Sequence, residues 1–174
     1  MKESNCILIA ELGATNARIA LTKDCTTLIE SKEYLLTDFS TADHLFEVYF
    51  EENKQKASKG IIGVAAPVLG EEIKFTNNNM MFNQRTLKDK FFSKGLKVIN
   101  DLELQAYALE DLGDEEVLRI GEVEEEKKGS KVLISPGSGL GLAGIVDKQI
   151  IFTEGGHLNI PSDSQGINEI LKKF

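Results

Sequence analysis

The stretch Val98-Ile99-Asn100-Asp101-Leu102-Glu103 constrains the fold of this chain more than any other: a short apolar run ends in an amide and a carboxylate just where a helical pattern begins. A strand that turns directly into a helix belongs to an open α/β sheet, whose carboxyl edge faces a cleft where ligands are held. Asp101 is therefore a candidate for proton transfer. The plainer role for the same residue is the N-cap of the helix that continues through Leu104, Ala106, Ala108 and Leu109. Two more apolar runs, Cys6-Ile7-Leu8-Ile9-Ala10 and Gly60 to Pro67, are patterned as strands buried on both faces. Between them, Ser40 to Ala57 reads as an amphipathic helix capped by Ser40 or Thr41, which sets the rhythm of an α/β fold.

The opening of the chain is a meander. Ala17 to Leu21 alternates as a second strand and Leu28 to Leu36 as a third, which places Gly13, Ala14, Thr15 and Asn16 in the first turn. Such a turn either aims several backbone N–H groups at phosphate oxygens, or uses Gly13 and Asn16 only to supply positive φ angles for a hairpin. Further on, Ile73 to Thr76 reads as a strand running into Asn77-Asn78-Asn79, whose amides form a turn or contact a polyhydroxylated ligand. A helix over Gln84 to Phe92, a strand over Leu96 to Asn100 and a helix over Asp101 to Leu112 complete the first part.

The segment from Gly113 to Ser130 is acidic and polar, and divides the chain into a first domain over 1–112, a connector over 113–130 and a second domain opening over 131–174. Lys131 to Ile134 then enters Ser135-Pro136-Gly137-Ser138-Gly139-Leu140-Gly141, and Leu142 to Val146 with Gln149 to Phe152 makes a hairpin turning at Asp147-Lys148. The alternating glycines precede a strand and not a helix, which excludes a dinucleotide fingerprint and favours a phosphate-cradling turn with Ser138 as an extra donor. In Thr153-Glu154-Gly155-Gly156-His157, Glu154 and His157 offer an acceptor and a donor to ligand hydroxyls, or else form a surface pair. A last amphipathic helix is expected from Ser162 to Phe174.

A net charge of -8 argues against nucleic acid as a partner, so any phosphate must be met locally by backbone amides or a metal ion. Cys6 and Cys25 suit neither a disulfide framework nor a zinc site with His44 or His157, and Cys6 reads as a small core residue. The N-terminal residues lack the build of a signal peptide and no apolar run reaches the length of a membrane span, so a cytoplasmic protein without a membrane partner is expected.

Five segments, taken in order, resemble the bacterial-type glucokinases of the sugar kinase, Hsp70 and actin superfamily. Glu11-Leu12-Gly13-Ala14-Thr15-Asn16-Ala17-Arg18 is similar to that family's first phosphate motif, Asp-x-Gly-Gly-Thr-Asn-x-Arg, with Glu11 and Ala14 in place of an Asp and a Gly. Val64-Ala65-Ala66-Pro67 through Asn77 resembles its strand and sugar-facing loop, and Asn100-Asp101 its catalytic pair. Ser138-Gly139-Leu140-Gly141 and Glu154-Gly155-Gly156-His157 resemble the second phosphate turn and a sugar-binding loop.

The resemblance implies a ribonuclease H-like, actin/hexokinase-type α/β fold with a mixed sheet flanked by helices, cut short within the second domain. It implies transfer of a phosphoryl group from ATP to the 6-hydroxyl of glucose or a closely related hexose, with Mg²⁺ near Glu11. In that scheme Asp101 takes the proton of the attacking hydroxyl, and Asn77, Asn100, Glu154 and His157 hold the sugar. The turns Gly13-Ala14-Thr15-Asn16 and Gly137-Ser138-Gly139 surround the nucleotide phosphates. A homodimer is expected, and the alternative is a non-catalytic hexose-binding or self-associating module of the same fold.

Overall fold

The computed structural model describes residues 6–75, 80–109, 111–121, 129–136, 140–147, 149–153 and 155. The chain divides into two compact units, Met1–Leu118 and Arg119–Phe174. The strip Glu122 to Lys128, the asparagines Asn77-Asn78-Asn79 and the helix expected over Ser162 to Phe174 lie outside the described residues.

The first unit is built on a five-stranded mixed sheet in the order β3-β2-β1-β4-β7. Strands β1 (Cys6–Leu12), β2 (Asn16–Thr22) and β3 (Ile29–Leu35) form the expected antiparallel meander, and β4 (Ala57–Val64) and β7 (Gly95–Asn100) run parallel to β1. Parallel neighbours need helical crossovers, and α1 (Ala42–Asn53) and α2 (Gln84–Phe91) supply them. One face of the sheet, carrying Leu8, Leu12, Ile62, Val64 and Val98, joins Leu45, Phe46 and Tyr49 of α1, Leu87 of α2 and the following Phe92 in a single buried cluster. Cys6 is part of that cluster, as its place in an apolar run implied.

Several elements differ from the sequence-based expectation. Helix α1 stops at Asn53 and not at Ala57, because Lys54 takes a left-handed conformation (φ 53°) and donates its N–H to Phe50 O at 3.1 Å. The residues after it have good helical propensity, so periodicity alone could not find that stop. Strand β4 accordingly spans Ala57–Val64, and Ala65, Ala66 and Pro67 form a turn beyond its end. The third difference is a small hairpin, in which β6 (Met81–Asn83) pairs with β5 (Glu72–Lys74) and brings Ile73 and Phe82 together as buried partners.

The left-handed conformation costs a residue with a Cβ about 1 kcal/mol or more, of which glycine recovers a part net of its greater chain entropy. Lys54→Gly is expected to raise stability by about 0.5–1 kcal/mol, read as a higher urea midpoint with an unchanged slope.

In the second unit, β8 (Lys131–Pro136), β9 (Leu140–Val146) and β10 (Gln149–Thr153) form an antiparallel sheet in the order β10-β9-β8. Pro136 closes β8, an edge strand of that sheet and a position that tolerates proline. Ala143 and Ile145 are buried on one face of β9, while Val132, Ile134, Leu140 and Ile151 are exposed. Among the described residues no helix is long and apolar enough to cross a membrane.

Candidate active site

The carboxyl ends of the three parallel strands fall at one level. The register sets Leu12 beside Val64 and Val64 beside Asn100, so the Gly13–Asn16 turn, the Ala65–Pro67 turn and the Asn100-Asp101 pair emerge together along one sheet edge. The turns are tied to each other. Ala65 N–H donates to Leu12 O at 2.9 Å, and the Asn100 side-chain amide donates to Ala66 O at 3.3 Å. Two inter-strand spacings separate β1 from β7, about 10 Å in all.

Asn100, and not Asp101, caps the helix α3 (Asp101–Ala108). Its Oδ1 accepts from Leu102 N–H at 2.9 Å while its Nδ2 reaches Ala66, so a nearly buried side chain joins the end of β7 to the helix and to the neighbouring turn. Asp101 is thereby released from the capping position that sequence alone offered it. It is the first helical residue, half-buried, and one carboxylate oxygen accepts from Leu102 N–H at 2.9 Å. A carboxylate there is favoured by the partial positive charge of the helix N-terminus. The helix comes close to the sheet because of Gly63, where a Cβ would lie 2.8 Å from Leu104 Cδ2.

At the β1–β2 turn the backbone is not the positive-φ hairpin considered from sequence. Neither Gly13 nor Asn16 has a positive φ, and Ala14 likewise sits in an ordinary conformation that a methyl group does not strain. Gly13 is favoured instead by close approach, since a Cβ would lie 3.2 Å from Asn16 O, the atom to which Gly13 N–H donates at 2.9 Å. That bond closes the turn from within. Thr15 O accepts from Leu36 N–H at 2.8 Å and anchors the tip to the chain beyond β3.

Glu11 is held by a partner that periodicity did not identify. Antiparallel register places Arg18 directly across from Glu11 and Glu33 directly across from Arg18. Arg18 Nη1 lies 3.3 Å from Glu11 Oε2 and Arg18 Nε lies 3.5 Å from Glu33 Oε1. Glu33 Oε1 also accepts from Asn16 Nδ2 at 3.0 Å. Arg18 and Glu33 thus belong to the site, and the signal that could have found them is the cross-strand pairing, which needs the register and not only the alternation.

The structure therefore brings Glu11, Gly13, Ala14, Thr15, Asn16, Asn100 and Asp101 to one edge of one sheet. Asn77, Gly137, Ser138, Gly139, Glu154 and His157 lie outside the described residues.

Comparison with known proteins accords with this arrangement. The sequence profile of the glucokinase family matches residues 8–174. A glucokinase of a Chelativorans species is 33% identical over 162 residues, covering 88% of this chain and 47% of that protein. The chain spans about half the length of the curated relatives it matches. Among solved structures, a glucokinase from an Antarctic psychrotroph superposes with a TM-score of 0.78 at 24% identity, over 98% of this chain and 56% of its own. A glucokinase of Balamuthia mandrillaris in complex with glucose gives a TM-score of 0.67 at 19% identity, over 95% of this chain and 53% of its own. At these identities the structural likeness speaks for the fold, which is the actin/hexokinase-type α/β fold of sugar kinases. The profile match across nearly the whole sequence, joined to relatives one-third identical over most of it, makes this chain a member of the glucokinase family.

Proposed function

We propose that this chain carries the first part of an ATP-dependent glucokinase, which phosphorylates the 6-hydroxyl of glucose or a closely related hexose in the cytoplasm at the entry to glycolysis. The observation that supports it most is the shared level of the three strand ends, which sets a turn able to meet phosphate about two strand spacings from Asp101. Phosphoryl transfer asks a protein chiefly for positioning and charge stabilisation, with one base for the attacking hydroxyl. Asp101 is that base, accepting the hydroxyl proton on its carboxylate. Asn100 holds the corner from which Asp101 projects, and one lone pair and one N–H of its amide remain beyond the two bonds it makes to the protein. In the same reading Asn77, Glu154 and His157 hold the other sugar hydroxyls, and Gly137, Ser138 and Gly139 meet phosphate.

The residues present suit Mg-ATP. Among the described residues no three acidic or thiol and imidazole groups form a cage, and magnesium is commonly held by one or two carboxylates together with substrate phosphates. Glu11, two residues before the first turn, would hold the ion in this reading, and Arg18 engages its Oε2. Mg-ATP, when bound, supplies the transferable phosphoryl group and neutralises part of the charge that develops on it.

A second reading draws on one fact, that the chain spans about half of its curated relatives: a hexose-binding or self-associating module without transfer. The test is glucose-dependent ADP release by the purified chain with Mg-ATP, beside glucose binding by calorimetry and mass by sedimentation. Turnover by a species of twice 19.2 kDa is the expected result. Saturable glucose binding with no ADP release would replace the first reading by the second.

A further inference from the structure

The polar row across β1, β2 and β3 does more than pair surface charges. The side chains of Glu11, Arg18 and Glu33 are 40%, 65% and 53% exposed, a degree at which ion pairs add little to stability. What sets the row apart is its connection to Asn16. A single oxygen, Glu33 Oε1, faces both Asn16 Nδ2 at 3.0 Å and Arg18 Nε at 3.5 Å. At the other end of the same amide, Asn16 Oδ1 is buried with no hydrogen-bond partner.

A buried carbonyl oxygen left unpaired is unfavourable, and an amide free to rotate would not adopt that arrangement. Glu33 accounts for it. An ionised carboxylate only accepts, so Asn16 must present its NH₂ to Glu33, and its oxygen is turned inward as a consequence. The same carboxylate steadies Arg18, and Arg18 in turn fixes Oε2 of Glu11. Asn16 of the first turn and the flanking Arg18 and Glu11 thus take their orientation from one residue on a strand that contributes nothing else to the site.

We propose that Glu33 is a positioning residue for nucleotide binding, holding the Asn16 amide and the Arg18 guanidinium in the orientation that receives the phosphates of Mg-ATP. The proposal rests on the assignment of Gly13–Asn16 as a phosphate turn. It has a sign opposite to simple electrostatics. The row carries two carboxylates and one guanidinium, so removing Glu33 deletes a negative charge beside a polyanion's site, and charge alone would tighten binding. Positioning requires the reverse.

The experiment titrates Mg-ATP calorimetrically into the wild-type chain, Glu33→Gln and Glu33→Ala, and records the side-chain amide signals of Asn16 by ¹⁵N correlation NMR in each. Glu33→Gln keeps an acceptor for Asn16 and is expected to bind within about twofold of wild type with its Asn16 signals near their original place. Glu33→Ala removes the acceptor and is expected to weaken binding about three- to tenfold while the Asn16 signals move toward free-amide positions. Backbone signals away from the turn report that each variant is folded. Equal or tighter binding by Glu33→Ala, or unmoved Asn16 signals, would overturn the positioning role and leave the phosphate turn standing. Absence of saturable Mg-ATP binding by the wild-type chain would overturn the phosphate turn itself, and the positioning role with it, before any variant is compared.

Discussion

Replacing Asp101 by Asn is expected to lower glucose-dependent ADP release by about 10²- to 10⁴-fold while leaving glucose affinity within a few-fold of wild type. The amide is nearly isosteric with the carboxylate, so what changes is basicity. Asp101 opens α3 directly after the strand β7, and its neighbour Asn100 carries the helix cap and the link to Ala66. The substitution therefore leaves the corner's two structural bonds in place, and thermal stability should move little. That separation makes the measurement informative. A fall in turnover with an unchanged glucose dissociation constant points to the proton, whereas parallel loss of both would mean the corner itself had moved. A decrease of less than about tenfold would remove Asp101 from the role of base.

Much of this architecture is legible in the sequence, for reasons that differ by element. The strands β1, β4 and β7 announce themselves as apolar runs because their residues are buried or half-buried apart from Lys59 and Lys97, and the meander β1-β2-β3 follows from tight turns and alternation. What escaped is whatever depends on a backbone angle or a tertiary partner. The stop of α1 at Lys54 is a single left-handed residue in a stretch of helix formers. Strand β6 has only three residues, too few to show alternation, and exists because Phe82 is buried beside Ile73. Helix α3 was expected to reach Leu112 but ends at Ala108, since continued apolar spacing in the sequence does not guarantee continued packing.

The site shows the same division. Sequence placed Asp101 and the Gly13–Asn16 turn, because short polar residues at the ends of apolar runs are where a sheet meets its ligands. It left Asp101 between two roles, and the observed cap at Asn100 decides against one of them. Of its two readings of the Gly13–Asn16 turn, the one that needed positive φ at Gly13 does not hold, and Gly13 instead approaches Asn16 O closely. Glu33 was invisible, because nothing in Glu-Ser-Lys-Glu-Tyr separates an exposed strand carboxylate from any other until register sets it opposite Arg18.

The largest effect on stability is expected at Phe46. Its side chain is 0% exposed, and its ring centroid lies 6.2 Å from those of both Phe91 and Phe92, so it joins α1 to the end of α2 and to the strand face beneath. Phe46→Ala removes the six ring carbons from a place where two aromatic neighbours and a sheet limit collapse. The expected loss is about 3–5 kcal/mol, the sum of transfer and cavity terms, which corresponds to a fall in melting temperature of roughly 10 °C or more. The exposed Leu69, at 86%, provides the contrast, and Leu69→Ala should change stability by no more than about 0.5 kcal/mol. Phe46 lies on the opposite face of the sheet from Gly63 and the helix that begins at Asp101, so its loss should weaken the fold without reshaping the sheet edge. Below its own melting transition the Phe46→Ala chain is expected to bind Mg-ATP with near wild-type affinity. A stable variant, within about 1 kcal/mol of wild type, would mean that the aromatic layer over the sheet can close around the vacancy, and the rigidity assigned to this face of the fold would have to be given up.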